Sequence, residues 1–194
     1  MMAVIRTSIV SLVVFTVILG IVYPAVMTGV CQMIFPNEAN GSLIWKNGKA
    51  AGSSLIGQPF SSPEYFWSRP SATTPYPYNA GSSSGSNLGQ NNPDLHKALA
   101  DRIAALKAAD PENAKPVPMD IITASGSGLD PHISPAAALY QASRVAKQRG
   151  ISEAEVYSLI EKYKESRQLG ILGDPVVNVV RLNMALDNLG VVNK

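Results

Sequence analysis

One polar loop sets the layout of this chain: Thr123-Ala124-Ser125-Gly126-Ser127-Gly128-Leu129-Asp130-Pro131-His132-Ile133-Ser134-Pro135. The apolar run before it, from Met119 to Thr123, predicts a buried strand. The Ser134 hydroxyl can cap a helix, and Pro135 suits its first turn. Glycines at two alternate positions allow tight folding or a close approach by a partner. The backbone amides of such a loop could bind an anion, although the local physics favours a structural turn followed by a helix cap.

Four helices are predicted beyond the N-terminal region. Three of their starts pair a capping side chain with a proline, at Asn92-Pro93, Ser134-Pro135 and Asp174-Pro175. The remaining start carries a capping box, Ser152 with Glu155. Glycines at 150 and 190 predict the ends of two of these helices. The predicted helices are Pro93 to Ala109, Pro135 to Arg149, a third from Ser152 through Tyr163, and Pro175 to Leu189.

A small sheet is predicted to accompany these helices. Leu43-Ile44-Trp45 predicts a strand, Asn47-Gly48 suits a tight turn, and Ser54 to Gln58 is the expected returning strand. Together with the strand expected at Met119 to Thr123, these segments predict an α+β fold. The strand order does not follow from the sequence.

The N-terminal region predicts a single transmembrane helix. No charged side chain occurs from Thr7 to Asn37, and Ile9 to Phe35 is strongly apolar. As a helix, that run is about 40 Å long, enough to span a bilayer with some tilt. Pro24 lies inside it, which membrane helices tolerate. A cleaved signal peptide is the rival interpretation, but the run is too long and no cleavage site follows it. The predicted division is a cytoplasmic N-terminus and signal anchor over 1–36, then one α+β domain over 37–194.

The charges that flank this span predict its orientation. Arg6 and the amino terminus precede the span, whereas Glu38 is the first charge after it. The positive-inside rule then places the N-terminus in the cytoplasm and the main domain outside, in the periplasm of a cell with an inner membrane. Lys46 and Lys49 weaken this bias without reversing it.

Composition excludes several function classes. Sixteen basic and 14 acidic side chains give a formal net charge of +2, so charge does not suggest a nucleic-acid partner. Cys31 is the single cysteine, which rules out an intrachain disulfide, and with only two histidines no metal site is expected. There is no P-loop and no Gly-x-Ser-x-Gly elbow. No catalytic residue is therefore predicted, and the chain is interpreted as a non-enzyme.

A long segment rich in proline and aromatic residues, Pro59 to Pro93, is the least regular part of the chain. Its six prolines exclude regular helix and central strand, and its aromatic rings indicate order rather than a flexible linker. The rings could pack beneath the segment as a satellite core, contact a partner protein, or contact a sugar. The sequence leaves these alternatives open.

Four ordered motifs resemble the C subunit of the bacterial potassium-transporting Kdp ATPase. The resemblance covers nearly the whole chain, including the single N-terminal span. Two departures, Ser84 where the family usually has Gly and Gln90-Asn91 where it has Pro-Thr, affect only the detail of one loop. The motifs are Tyr65-Phe66-Trp67-Ser68-Arg69-Pro70-Ser71-Ala72, Gly85-Ser86-Asn87-Leu88-Gly89, Thr123 through Pro135, and Leu172-Gly173-Asp174-Pro175 with Val177, Asn178, Leu182 and Asn183.

The resemblance implies an accessory subunit of an ATP-driven potassium importer. Its partners would be a channel-like subunit, a P-type ATPase subunit and a small membrane peptide. Its implied roles are assembly and, as a catalytic chaperone, raising the ATPase subunit's affinity for ATP. No covalently bound cofactor is expected, and ATP would act through the complex. From the predicted topology and the aromatic, proline-rich segment, we hypothesise that the outer domain docks on the channel-like subunit near its potassium entrance.

Two sets of residues are candidates for contacts with partners. The aromatic motif is predicted to dock on a partner through Tyr65, Phe66, Trp67 and Arg69. The polar loop is a candidate nucleotide or partner site through Ser125, Gly126, Ser127, Gly128, Asp130 and His132. The alternatives from other classes are an anchored periplasmic hydrolase that uses His132 with a serine, and an anchored protein that binds a sugar or peptide.

Overall fold

The computed structural model describes residues 1–46 and 48–192. The chain forms two compact units, Met1–Ala51 and a second that begins at Gly52. The first contains a long apolar helix, and the second contains helices and a small sheet, so the predicted α+β class is confirmed.

The first unit is dominated by helix α1, which covers Met2–Ile34 and has no buried residue. Its composition and length are sufficient for a membrane span, and it is the one such helix in the described residues. A π-helical turn, Ile18–Val22, interrupts it just before Pro24. Because proline cannot donate a backbone hydrogen bond, local widening of the helix at this point accommodates it.

A short helix and a hairpin complete the first unit. Helix α2 covers Pro36–Ala39, strand β1 covers Leu43–Lys46, and strand β2 covers Lys49–Ser53, of which the last two residues belong to the second unit. The predicted first strand is therefore confirmed. Gly48 has a positive φ of 72°, as a tight turn requires; the other predicted turn residue, Asn47, lies outside the described residues.

The predicted returning strand, Ser54 to Gln58, is wrong, because β2 ends at Ser53. The backbone of this segment bonds elsewhere. The Ser54 carbonyl accepts from the Asn178 side chain at 2.8 Å, and the Gly57 amide donates to the Leu129 carbonyl at 2.8 Å. The hydrogen bonds of this segment therefore connect it to the polar loop and to Asn178, instead of to β1.

Four main helices of the second unit are α3 (Pro93–Ala109), α4 (Pro135–Arg149), α5 (Glu153–Tyr163) and α6 (Val179–Val192). The first three begin where their caps predict. The side chains of Asn92, Ser134 and Ser152 each accept a hydrogen bond from the first turn, and the capping box with Glu155 is formed in both directions. Gly150 ends α4 with a φ of 66°.

The predicted strand at Met119 to Thr123 is wrong: Met119–Ile121 is a short 3₁₀ helix. The amides of Ile122 and Thr123 both donate to the Met119 carbonyl. The Asp120 carboxylate accepts from both the amide and the hydroxyl of Ser134, at 2.6 and 3.1 Å. Ile121 and Ile122 are both buried, as predicted, but consecutive buried residues do not distinguish a strand from a compact helical turn.

The predicted helix start at Asp174-Pro175 is also wrong. A strand comes first, β5 (Val176–Asn178), and α6 begins only at Val179 and continues beyond the predicted stop at Gly190. Strand β5 lies at the centre of a three-stranded antiparallel sheet, between β3 (His132–Ile133) and β4 (Lys164–Glu165). Cα register pairs His132 with Asn178 and Lys164 with Val177. Asp174 pairs with Arg167 at 2.9 Å instead of capping a helix.

The core of the second unit gathers α4, α5 and α6 around this sheet. Alanines on the buried face of α4 are at most 2% exposed, and their small side chains let neighbouring segments approach closely. Phe66 from the aromatic segment is the largest fully buried side chain. The core also includes Ile133, Val145, Val156, Ile160, Val177, Leu182 and Leu186.

Candidate functional site

The polar loop is packed among other segments of the second unit. The Ser125 amide donates to the Pro70 carbonyl at 3.1 Å. Three successive loop carbonyls then accept hydrogen bonds from elsewhere in the chain, so the loop presents acceptors to its neighbours. These bonds run from the Ser84 amide to Ser127, from the Ser71 hydroxyl to Gly128, and from the Gly57 amide to Leu129.

The second loop glycine is required by close packing. Gly128 has a φ of 67°, and a Cβ added there would lie 2.5 Å from Thr73 Cγ2 and 2.6 Å from the Ser84 carbonyl oxygen. Gly126 is different, since nothing lies within 4 Å of the corresponding position. The two glycines of the motif therefore differ in their tolerance of a side chain, which would collide with neighbouring atoms at Gly128 and meet open space at Gly126.

Asp130 and His132 belong to a charged network at the end of this loop. Asp130 Oδ2 accepts from Arg69 Nη1 at 3.0 Å, and Asp130 Oδ1 lies 3.3 Å from His132 Nδ1. Burial acts to raise the pKa of Asp130, but hydrogen bonds from His132 and the Arg69 charge outweigh it, so this pKa is lowered.

Asn178 fixes the tautomer of His132. The Asn178 Oδ1 atom accepts from the Arg181 amide and its Nδ2 donates to the Ser54 carbonyl, which orients the carboxamide. The same Nδ2 lies 3.4 Å from His132 Nε2, so this nitrogen accepts and Nδ1 carries the proton that faces Asp130. His132 therefore braces the loop through its contacts with Asp130 and Asn178. No serine hydroxyl hydrogen bond to it is found among the described residues.

The aromatic motif is clamped by two buried carboxamides. Asn183 pairs with both backbone groups of Phe66, and Gln141 pairs with both backbone groups of Trp67, at 2.8 to 3.2 Å. Gln141 and Asn183 are each 1% exposed. Every backbone polar group at these two positions is thus satisfied inside the protein.

Two arginines stack on the rings of the same motif. The Arg144 guanidinium carbon lies 4.6 Å from the Trp67 ring centroid, and that of Arg149 lies 4.7 Å from the Tyr65 centroid. Arg144 also donates to Gln141 Oε1 and to the Pro63 carbonyl, and burial lowers its pKa to about 10. Arg149 forms an ion pair with Asp187 at 3.0 Å.

These contacts show how the four predicted docking residues are used. Phe66 is fully buried, so its side chain has no surface for a partner. Tyr65, Trp67 and Arg69 remain partly exposed, and docking through them stays a prediction. The sequence left open whether the aromatic rings of Pro59 to Pro93 pack within the domain or contact a partner protein or a sugar. Most of the observed contacts of this motif are packing contacts within the domain.

A cleft of about 320 Å³ adjoins the aromatic motif. Its walls are mainly apolar, and Arg102 contributes a guanidinium that donates to the Ile122 carbonyl at 2.7 Å. Burial lowers the pKa of Arg102. The cleft is lined by Phe60, Ser61, Trp67, Ser68, Pro70, Arg102, Ala105, Leu106 and Ile121. Within residues 1–46 and 48–192, no group of His, Cys, Asp and Glu side chains is arranged to hold a metal ion.

Sequence reasoning missed the residues that hold this site together. Gln141 and Arg144 lie in an alanine-rich helix, and a sequence signal was available: two polar side chains three apart on a face that is otherwise small and apolar. In the sequence, Asn178 and Asn183 stand out only as parts of the last of the four motifs.

Comparison with known proteins identifies close relatives. Residues 5–188 match the sequence model of the KdpC family, described as "K+-transporting ATPase, c chain". The chain is 58% identical over 184 residues to the potassium-transporting ATPase KdpC subunit of Methylococcus capsulatus, covering 95% of this chain and 97% of that protein. It is 55% identical over 187 residues to the subunit of the same name from Sorangium cellulosum, covering 96% and 98%. It is also 55% identical over 189 residues to that of Dechloromonas aromatica, covering 97% and 99%.

Proposed function

The chain belongs to the KdpC family, the c chain of K⁺-transporting ATPases, and from that premise we propose that it is a non-catalytic accessory subunit of a high-affinity, ATP-driven potassium importer. The observation that carries this proposal is the match from residue 5 to residue 188. The internal contacts of the polar loop support it, because His132 and the loop serines act as structural groups.

The proposed partners are a channel-like subunit that selects potassium, a P-type ATPase subunit that hydrolyses ATP, and a small membrane peptide. In this proposal α1 crosses the inner membrane once, with the N-terminus in the cytoplasm and the second unit in the periplasm. Arg6 before the span and Glu38 after it support this orientation. Burial of α1 against partner helices or lipid would cover the apolar side chains that it exposes here.

We place the dock of the periplasmic unit on the channel-like subunit, near its potassium entrance. The catalytic-chaperone role, a higher ATP affinity of the ATPase subunit, is then an indirect coupling that passes through α1 and the partner subunits. Direct binding of ATP to Ser125 through Gly128 is the competing proposal. The indirect route is favoured because the positive-inside orientation places this loop away from cytoplasmic ATP. In addition, the Ser125 amide, a donor that an anion site would use, already donates to the Pro70 carbonyl.

Affinity purification of the tagged chain from mildly solubilised membranes of potassium-starved cells tests the accessory role. We expect stoichiometric recovery of a P-type ATPase and a large channel-like protein. Recovery of this chain alone, under conditions that preserve other membrane complexes, would contradict the proposal and favour an anchored binding protein or hydrolase.

The route of the ATP effect has its own test. The purified full chain is titrated with ATP, and the ATP dependence of potassium-stimulated ATPase activity is measured with and without the chain. Indirect coupling predicts no ATP binding to the isolated chain and a lower ATP requirement when the chain is present. Saturable binding that is lost in Gly126→Ala would support the direct route instead.

A cysteine at the exposed Ser82 position tests orientation. In a Cys31→Ser background, Ser82→Cys should react in intact spheroplasts with a thiol reagent that cannot cross the membrane. Reaction only after permeabilisation would place the second unit in the cytoplasm.

A further inference from the structure

The chain folds back on itself directly after α1. The carboxamides of Asn40 and Gln32, a residue in the last turns of the helix, form two hydrogen bonds of 3.2 and 3.3 Å. The Asn40 Nδ2 atom also donates to the Pro36 carbonyl at 2.6 Å. Two consecutive left-handed residues, Gly41 with a φ of 87° and Ser42 with a φ of 50°, then lead the backbone into β1. The first strand of the hairpin is therefore held close to the end of the apolar helix.

Strand β1 presents two apolar side chains on one face. Leu43 is 39% exposed and Trp45 is 63% exposed, and alternate residues of a strand lie on the same side. We call Leu43 and Trp45 the apolar face of β1. Both residues border a surface recess of about 520 Å³, and the rest of its lining comes from the segment directly after α1: Pro36, Asn37 and Asn40. Trp45 therefore lies at the level of the helix end.

The length of α1 places this recess at the depth of lipid headgroups. From Arg6 to Ile34 the helix rises about 42 Å, at 1.5 Å per residue. A bilayer with both of its headgroup layers is about 40–45 Å thick. When the Arg6 guanidinium lies among the headgroups of one leaflet, Ile34 and the segment that follows it therefore lie among those of the other leaflet.

The headgroup layer is the environment that the exposed side chains at this point prefer. Tryptophan is enriched at membrane–water interfaces, because its indole ring is apolar while its N–H needs a polar partner. Phe35, which directly follows α1, is 56% exposed. Apolar side chains therefore extend from the span through Phe35 to the apolar face of β1.

The charges beside the hairpin suit the anionic phosphates of phospholipids. Residues 36–51 contain two basic side chains, Lys46 and Lys49, and one acidic side chain, Glu38, and all three residues are exposed. Lysine can lay its aliphatic stem along an apolar surface while its ammonium group stays in the headgroup layer. Basic residues beside an apolar face are typical of segments that lie on membranes.

We propose that the apolar face of β1 lies in the interfacial layer of the membrane that α1 crosses, in contact with phospholipid headgroups. The proposal requires that α1 spans a bilayer, but it requires no partner subunit and holds for either orientation of the span. Lipid is favoured as the occupant because the chain itself brings this face to the membrane surface, through α1 and through the Gln32–Asn40 pair. The hairpin is then a second membrane contact in addition to the span.

Fluorescence quenching by brominated lipids tests the proposal on the full chain in phosphatidylcholine vesicles. In Trp67→Phe, Trp45 is the only tryptophan. Lipid brominated high on its acyl chains should quench Trp45 about twofold more than lipid brominated near the chain ends, as expected for an interfacial ring.

Two further variants, each with both natural tryptophans changed to phenylalanine, calibrate this measurement. Leu19→Trp, in the middle of α1, should be quenched more by lipid brominated near the chain ends. Lys46→Trp is the matched control, because this exposed neighbour lies on the opposite side of β1 from Trp45. It should be quenched less than Trp45 by either lipid.

The measurement has distinct contrary outcomes. Equal quenching of Trp45 and of tryptophan at position 46, or no quenching of Trp45, would show that the apolar face of β1 does not contact lipid. Absence of quenching at position 19 would show that α1 does not span the bilayer, and the proposal would fail with its premise.

A photoreactive benzophenone amino acid at position 45 identifies the occupant in the assembled complex, purified from membranes and reconstituted in the same lipid. We expect a phospholipid adduct, detected by mass spectrometry, that is weaker when the group is placed at position 46. An adduct with a protein subunit instead of lipid would overturn the proposal.

Discussion

The Asn183 carboxamide closes two hydrogen bonds of 2.9 Å with the backbone of Phe66, 117 residues away in the sequence. One bond is accepted from the Phe66 amide, and the other is donated to its carbonyl. Both residues are fully or almost fully buried. This contact joins the aromatic motif to α6, so the irregular segment becomes part of the core.

Removing this clamp should strongly destabilise the second unit. Asn183→Ala leaves both backbone groups of Phe66 buried without a partner, and we expect a loss of about 3 kcal/mol in the free energy of unfolding. Urea unfolding of the full chain in micelles measures it. In a Trp45→Phe background, Trp67 is the only tryptophan and reports on this motif. The control is Asn188→Ala, at an exposed position of the same helix, which should change stability little; equal effects of the two variants would show that the clamp contributes nothing.

The two loop glycines should respond differently to substitution. Gly128→Ala combines a left-handed backbone with contacts of 2.5 and 2.6 Å, and we expect a loss of about 3 kcal/mol. Gly126→Ala meets open space and should stay within about 0.5 kcal/mol of wild type. Thermal unfolding by circular dichroism compares the two. A Gly128→Ala variant as stable as Gly126→Ala would contradict the packing described for the loop.

Stability should fall in acid through Asp130. Because its pKa is lowered in the folded protein, its ionised form contributes stability above the unfolded pKa of about 3.9, and this contribution is lost as pH falls through the lower, folded value. Asp130→Asn should therefore lower stability at pH 7 and show a shallower decrease below about pH 4. Unfolding free energies from pH 7 to pH 3 test this. Asp101→Asn, at an exposed position of α3, serves as the control and should show the wild-type dependence of stability on pH. The same wild-type dependence in Asp130→Asn would show that ionised Asp130 does not stabilise the fold.

Removal of the hydroxyl group should change the stability of the protein in opposite directions at two tyrosines. Tyr140 is 4% exposed, and its hydroxyl has no hydrogen-bond partner among the described residues, so Tyr140→Phe should raise stability by about 1 kcal/mol. The Tyr65 hydroxyl donates to Asp187 at 2.9 Å, so Tyr65→Phe should lower stability by about 1 kcal/mol. Denaturant midpoints of the wild type and both variants, measured under the same conditions, test these two expectations. Loss of stability in Tyr140→Phe would reveal a partner for that hydroxyl.

Local signals predicted the helices well because their physical causes lie within a few residues. Caps at Asn92, Ser134 and Ser152 and the αL glycine at 150 act through bonds to adjacent turns, so the sequence alone places three helix starts and one end. The apolar N-terminal helix follows from composition in the same way. Family membership was also readable from ordered motifs.

The tertiary structure decided the features that depend on distant partners. Met119 to Thr123 becomes a 3₁₀ turn where the Ser134 backbone and hydroxyl bind Asp120, and Asp174-Pro175 leads into a strand because β3 and β4 are available to pair with it. The clamps on Phe66 and Trp67 join residues 117 and 74 positions apart. The sequence therefore determined where local hydrogen bonds and an apolar span form. Only the folded chain determined which distant groups form hydrogen bonds with the remaining polar atoms, because no local pattern encodes the relative positions of those groups.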